Sequence, residues 1–307
     1  MGLAGPPAIS DTSDARPRHA LDGSLNLKCS PEIEYYDAMD RVATSVDDMG
    51  IARVCLKRPE KLNALDDAMF EAIRSAAATL RADASVRAVI LHGAGPSFCA
   101  GLDVASLVAQ DAGEPLTIGD AGHPANRFQR AAFDWTLVPA PVIAAIHGHC
   151  LGGGLQIALG ADIRVAAPDA RLAVLETKWG LIPDMALAYT IPRYLPLDVA
   201  KELTFTGRSV SGEEAHRLGL VTHVAEDPLA VAEELATAIA ARSPDAVQAA
   251  KRVLNETWGA TDATAVLRRE VEAQLQILRG PNQHEAVRAA LAGEQPRFAD
   301  PPLTSEA

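Results

Sequence analysis

The chain has 307 residues, of which 48% are hydrophobic and 22% charged, and its formal net charge is −12 at pH 7. So acidic a balance argues against a protein whose main task is to grip nucleic acid or an anionic membrane, and the length suits one large domain or two ordinary ones. Four cysteines, Cys29, Cys55, Cys99 and Cys150, fit neither a disulfide framework nor a zinc ribbon. With no basic stretch leading into an apolar one near Met1, and no apolar run approaching the roughly 18 residues of a membrane span, they predict a cytoplasmic protein.

Residues 1–38 are rich in Pro, Gly, Ser and Asp without periodicity and are expected to form a flexible tail. RVATSV (41–46) and IARVCLKR (51–58) read as two strands joined by a hairpin at DDMG. Asp66 is a good N-cap, and Met69, Ile73, Ala77 and Leu80 put one apolar stripe on the helix that follows. RAVILHG (87–93) reads as a buried strand ended by Gly93 and Gly95. PVIAAIHG (141–148) is a second, running into LGGGLQIALG (151–160), a buried helix starting near Gly153, and IRVAA (163–167) is a third strand. Strands alternating with helices over 41–225 imply an α/β arrangement, whereas 227–293 carries helical patterns alone. The division expected is a tail (1–38), a core (39–226), a helical C-terminal region (227–298) and a short tail (299–307).

The sequence has no G-x-x-x-x-G-K-[ST], no G-x-G-x-x-G after a strand and no G-x-S-x-G, which removes the P-loop, dinucleotide and nucleophile-elbow readings. His147-x-His149 beside Cys150 has a spacing that places two ligands on one strand face, but no acidic or histidine set completes a site, so no metal is expected.

Three segments carry the chemistry: RPEKLNALDDAM (58–69), GPSFCAGLDV (95–104) and the block from Pro141 to Asp184 containing HGHCLGGGLQIALG and LETKWGLIPD. Together with FTGRSVSGEEAHRLGLVTHV (205–224) they resemble the crotonase superfamily, the enoyl-CoA hydratase/isomerase family, from about Arg41 to about Phe298. The resemblance implies an α/β, crotonase-like (ClpP/crotonase) spiral of ββα units with a helical C-terminal region. It also implies an acyl-CoA substrate, no cofactor beyond the CoA that is part of that substrate, no nucleic-acid or membrane partner, and homotrimers that often pair into hexamers.

Three glycines opening a helix present N–H groups with no Cβ to block approach, which suits an oxyanion, and Gly153 is the candidate donor. By resemblance the second donor is the backbone N–H of Leu102. Hydratases of the family carry two glutamates at the positions that here hold Gln156 and Glu176. An amide does not exchange a proton near neutral pH, so one acid–base group is missing. Asp184, eight residues after Glu176, stands where dienoyl-CoA isomerases place a functional aspartate; its other reading is the N-cap of the next helix. Leu172 to Leu175 surround Glu176 with apolar residues, and burial there would raise its pKa. One carboxylate suffices to move a double bond, so the residues favour isomerisation of an enoyl-CoA by Glu176. The alternatives are an enoyl-CoA hydratase and a non-catalytic CoA-binding member. By resemblance, Ala64 and Ala100 to Asp103 line the CoA path, and Arg58 or Lys61 meets phosphate. Phe128, Phe133 and Trp135 are candidates for the acyl pocket, or else ordinary core.

Overall fold

The computed structural model describes residues 41–104, 117–119 and 122–302; the expected N-terminal tail, most of the variable stretch between Val104 and Pro124, and the last five residues lie outside them. β1 (Val42–Val46) and β2 (Ile51–Leu56) pair antiparallel, with Val42 opposite Leu56. Asp47 makes the turn by accepting the Met49 and Ile51 amides on Oδ1 at 2.9 and 3.0 Å, the local bonding that gives aspartate its turn preference. α1 (Asp67–Arg81) starts where Asp66 Oδ1 accepts the Met69 N–H at 2.8 Å, and it buries Met69, Ile73, Ala77 and Leu80 on one face.

β3 (Ala88–Gly93), β4 (Val142–Ile146), β6 (Ile163–Ala166) and β9 (His223–Val224) extend the hairpin as parallel strands, so one sheet runs β1-β2-β3-β4-β6-β9. A second sheet, β5-β7-β8, joins His149–Leu151, Arg171–Ala173 and Val210–Ser211. The large sheet is covered on both faces, which is why its strands read as unbroken apolar runs. Val89 and Leu91 face α1 and α2 (Arg127–Leu137) in the larger core, while Ala88, Ile90, Ile143, Ala145 and Val165 face Ala232 and Ala236.

The element sequence continues with α3 (Gly153–Leu159), α4 (Leu187–Thr190), α5 (Leu197–Thr206) and α6 (Gly212–Leu218). It then runs through α7 (Pro228–Ala240), α8 (Pro244–Thr257), α9 (Ala263–Ile277) and α10 (Pro281–Ala292). α7, grouped from sequence with the C-terminal helices, is a layer of the core: it supplies Ala232 and Ala236 to the sheet face, and Glu233 takes both guanidinium arms of Arg53 at 2.7 Å. The core therefore extends past residue 226. Among the described residues no helix is long and apolar enough to cross a membrane.

His92 and His147 are buried near one another in the large sheet and the loop after it, with Arg53 on β2 and Asp227 at the start of α7 as charged neighbours. Burial, with the charges of His147 and Arg53 adding to it, pushes the His92 imidazole down to about 4. An unfolded histidine titrates near 6.5, so the unfolded chain binds the extra proton first and stability is lost as pH falls from about 6.5 toward 4. The full loss is about 3 kcal/mol. Urea midpoints at pH 7.5 and pH 5 will differ by less in His92→Leu than in the parent; an unchanged difference would show that His92 does not carry this acid sensitivity.

Candidate active site

Segment 97–99 stitches the two sheets together. Phe98 N–H donates to His147 O at 2.9 Å, Cys99 N–H to His149 O at 2.9 Å and Leu151 N–H to Cys99 O at 3.0 Å. Cys99 and Cys150 face each other there as buried free thiols, and burial pushes the Cys99 thiol up to about 12, far from a thiolate at neutral pH. The histidines proposed as metal-like have other company: His147 Nε2 lies 2.9 Å from Gly95 O and His149 Nδ1 lies 3.1 Å from Ser97 Oγ, so both brace the 94–98 turn.

From that turn the chain passes Gly101 and meets Leu65 in a parallel bridge. Leu65 N–H donates to Gly101 O at 2.8 Å and Asp103 N–H to Leu65 O at 2.9 Å. Such a bridge uses the groups on either side of Leu102, so the Leu102 N–H points away from Leu65. Gly101, at φ +86°, is pressed onto the start of α3: a Cβ there would lie 2.6 Å from Leu151 O and 3.5 Å from Gly153 N. Gly153 is the first residue of α3, so its N–H has no intrahelical acceptor. The two amides proposed as oxyanion donors thus come from adjoining segments. α3 has seven residues, all buried, and local N–H groups rather than a long helix dipole are what it can offer.

The glycines of the GGG run have different duties. Gly152 adopts φ +51° and ψ −121°, and a Cβ there would come 3.3 Å from Glu176 Oε1. Gly154 is the packing residue, since its Cβ would lie 2.5 Å from Cys99 O. Gly153 itself borders Leu65 Cδ1 and Met185 Sδ, which approach its missing Cβ to 2.8 and 2.9 Å.

Glu176 opens a 3-10 turn, Glu176–Trp179, right after β7, and the turn is pinned to α5 by Thr177 Oγ1 donating to Thr204 O at 2.8 Å. Its Oε1 accepts Gln156 Nε2–H at 2.6 Å, while its Oε2 is buried and has no hydrogen-bond partner among the described residues. Burial raises the Glu176 pKa above the ordinary carboxylate value, against the lowering effects of its own backbone N–H, the Gln156 bond and the Leu175 N–H, and the nearby Asp184 charge raises it further. Asp184 is raised too, by burial. It does not cap the next helix, because α4 begins after Ala186, in a left-handed conformation and with no side-chain cap. Gln156, 1% exposed, accepts the Met185 N–H on Oε1 at 2.8 Å.

Arg58 differs from its sequence reading as a phosphate ligand. Its guanidinium is only 11% exposed and turns inward to Asp103 Oδ2 at 2.9 Å, Asp66 Oδ2 at 3.5 Å and Ala64 O at 3.1 Å, because two carboxylates flank it. Lys61 is exposed, Ala64 is buried and Ala100 is half-buried. Trp135 is wholly buried in the main core and is not a lining residue. Phe128 packs edge-on against Phe70, and Phe133 against His123 and Tyr189.

Sequence reasoning missed Asn63. Wholly buried at φ +56°, it accepts Arg58 N–H on Oδ1 at 2.8 Å and donates through Nδ2 to Ala94 O at 2.9 Å and Ser97 O at 2.8 Å, with Phe98 O at 3.2 Å. A polar residue inside the otherwise apolar stretch LNAL, five residues after Arg58, was the available signal.

A sequence model described as enoyl-CoA hydratase/isomerase matches residues 47–300. The Bacillus subtilis protein YngF is 35% identical over 253 residues, covering 81% of this chain and 95% of its own length. The short-chain-enoyl-CoA hydratase of Clostridium acetobutylicum is 35% identical over 208 residues, covering 67% of this chain and 77% of its own. The crystal structure of an enoyl-CoA hydratase from Bacillus anthracis superposes with a TM-score of 0.77 at 29% identity, covering 85% of this chain and all of that one. With a match that spans β2 to β9, the GGG helix and the Glu176 turn, the chain belongs to the enoyl-CoA hydratase/isomerase family of the crotonase superfamily and has its fold.

Proposed function

We propose that this enzyme isomerises enoyl-CoA thioesters, moving the double bond between the 3,4 and 2,3 positions. The observation that carries the reading is the Gln156–Glu176 pair: where two-carboxylate water addition needs a second proton carrier, the site holds an amide engaged at both its oxygen and its nitrogen. The thioester oxygen would be held by the Leu102 and Gly153 N–H groups. Glu176 Oε2 takes a proton from C2, the C2–H electrons delocalise into the thioester as a dienolate, and the same oxygen returns the proton to C4. Two oxyanion donors lower the barrier where the charge develops, and a raised carboxylate pKa brings the base closer to the carbon acid. Ala64 and the backbone from Ala100 to Asp103 would line the CoA path, with Lys61 the cation left exposed for a phosphate.

Hydration is the second reading, because Asp184 is near enough to influence Glu176 electrostatically and would supply the other proton. A second copy of the chain is the proposed partner, as a trimer or a pair of trimers; α9 leaves Leu267, Val271 and Leu275 exposed at helical spacing for such packing. The deciding experiment incubates the protein separately with a short 3-enoyl-CoA and a short 2-enoyl-CoA and follows the products by mass spectrometry and chromatography. Conversion of the first without mass change, absent in Glu176→Gln, is the expected result. Gain of one water by the second at a comparable rate would overturn it in favour of hydration.

A further inference from the structure

We infer that Gln156 is a positioning residue that dictates which oxygen of Glu176 handles the proton, and that it can do so because its own amide is locked by the Met185 backbone. The inference rests on the isomerase reading and deepens it. A carboxamide has two chemically different ends. The Met185 N–H is a donor and must be met by Oε1, at 2.8 Å, which turns the NH₂ group toward Glu176 Oε1 at 2.6 Å. Gln156 thereby takes Glu176 Oε1, and Oε2, which is buried and has no hydrogen-bond partner among the described residues, is left as the basic atom.

The arrangement has a frame behind it. Gln156 sits one turn into α3, its N–H donating to Gly152 O at 3.1 Å, so it is fixed to the helix whose first N–H is the proposed oxyanion donor. Met185 directly follows Asp184, and its side chain borders Gly153. One amide therefore ties three parts together: the donor helix, the base and the chain beside the second carboxylate. A glutamate at this position would accept the Met185 N–H equally well but would offer Glu176 no donor unless protonated.

The test uses the full-length protein with a short 3-enoyl-CoA and compares Gln156→Met, which removes both bonds, with Gln156→Glu, which keeps the Met185 bond alone. In Gln156→Met, kcat is expected to fall about 10- to 100-fold while KM stays within about threefold, since the loss is in orienting a proton-transfer group rather than in holding substrate. The N–H from Gln156 favours the ionised carboxylate, so its loss moves the acid limb of the kcat/KM profile to higher pH. In Gln156→Glu the limb moves the same way and kcat is not restored. The position of the limb does not depend on the fraction of protein that folds. A Gln156→Glu enzyme with the parental kcat and limb would reduce Gln156 to a tether for Met185 and overturn the inference, as would an unmoved limb in both variants. Failure of the underlying reading looks different: Glu176→Gln would then isomerise the substrate at the parental rate.

Discussion

Glu176→Gln is expected to lower the rate of double-bond isomerisation by about 10³-fold, within the range that a positioned general base contributes, without unfolding the protein. The geometry makes this a clean substitution. A glutamine at 176 still offers Gln156 an acceptor for its Nε2–H, so the shape of the site is kept while the proton carrier is removed. Stability should stay level or rise, because the parental carboxylate is held where burial disfavours its charge. A thermal melt at pH 7.5 and a progress curve on the same preparation check both halves. The opposed directions matter: a variant that loses activity and stability together would mean that Glu176 acts as a structural contact. The acid limb of the parental kcat/KM profile should lie above the ordinary carboxylate value and vanish in the variant.

How much of this was legible in the sequence depended on how local the cause was. Asp66 and the stripe Met69, Ile73, Ala77, Leu80 specify α1 by themselves, and the structure bears them out. The strand expected over 141–148 stops at Ile146, and the chain then enters a different sheet through β5. That break was not legible, because the three residues of β5 are strand only by virtue of partners at Arg171–Ala173 and at Cys99. Arg58 shows the same limit. A cation beside a motif read as a phosphate ligand, and only the fold brings Asp103, distant in sequence, within 2.9 Å of it. The GGG run was legible as a special backbone site, but the division of labour was not: Gly152 makes room beside Glu176 and Gly154 makes room for Cys99. Trp135 was ambiguous between pocket and core, and the absence of any exposure decided it.

Asn63→Ala is expected to cost about 3 kcal/mol of stability, the order of magnitude for leaving several buried carbonyl groups without a donor, and to lower the melting temperature by roughly 5 °C. Its amide spans the turn that sets the oxyanion segment: Ala94 O, Ser97 O and Phe98 O all converge on Nδ2, while Ala100 N–H donates to Leu62 O at 2.9 Å next door. Leu62 and Asn63 are both left-handed, at φ +51° and +56°, a conformation asparagine tolerates better than alanine, so the substitution adds backbone strain to the lost bonds. Asn63→Asp separates the two effects. Aspartate keeps the acceptor for Arg58 N–H and the tolerance for positive φ, but it turns the donor into an acceptor facing three carbonyl oxygens. If donation is what matters, Asn63→Asp will be at least as destabilised as Asn63→Ala at pH 7.5; if the backbone conformation matters most, it will approach the parent. Residual activity, measured well below either melting temperature, should fall by about 10²-fold in both, because the Leu102 N–H, the proposed oxyanion donor, lies on the bridged segment this turn feeds, and oxyanion stabilisation is lost when a donor is misplaced. A variant that melts early yet turns over at the parental rate when cold would show that the Leu65–Leu102 bridge alone places the proposed donor, and that Asn63 serves the fold without serving the chemistry.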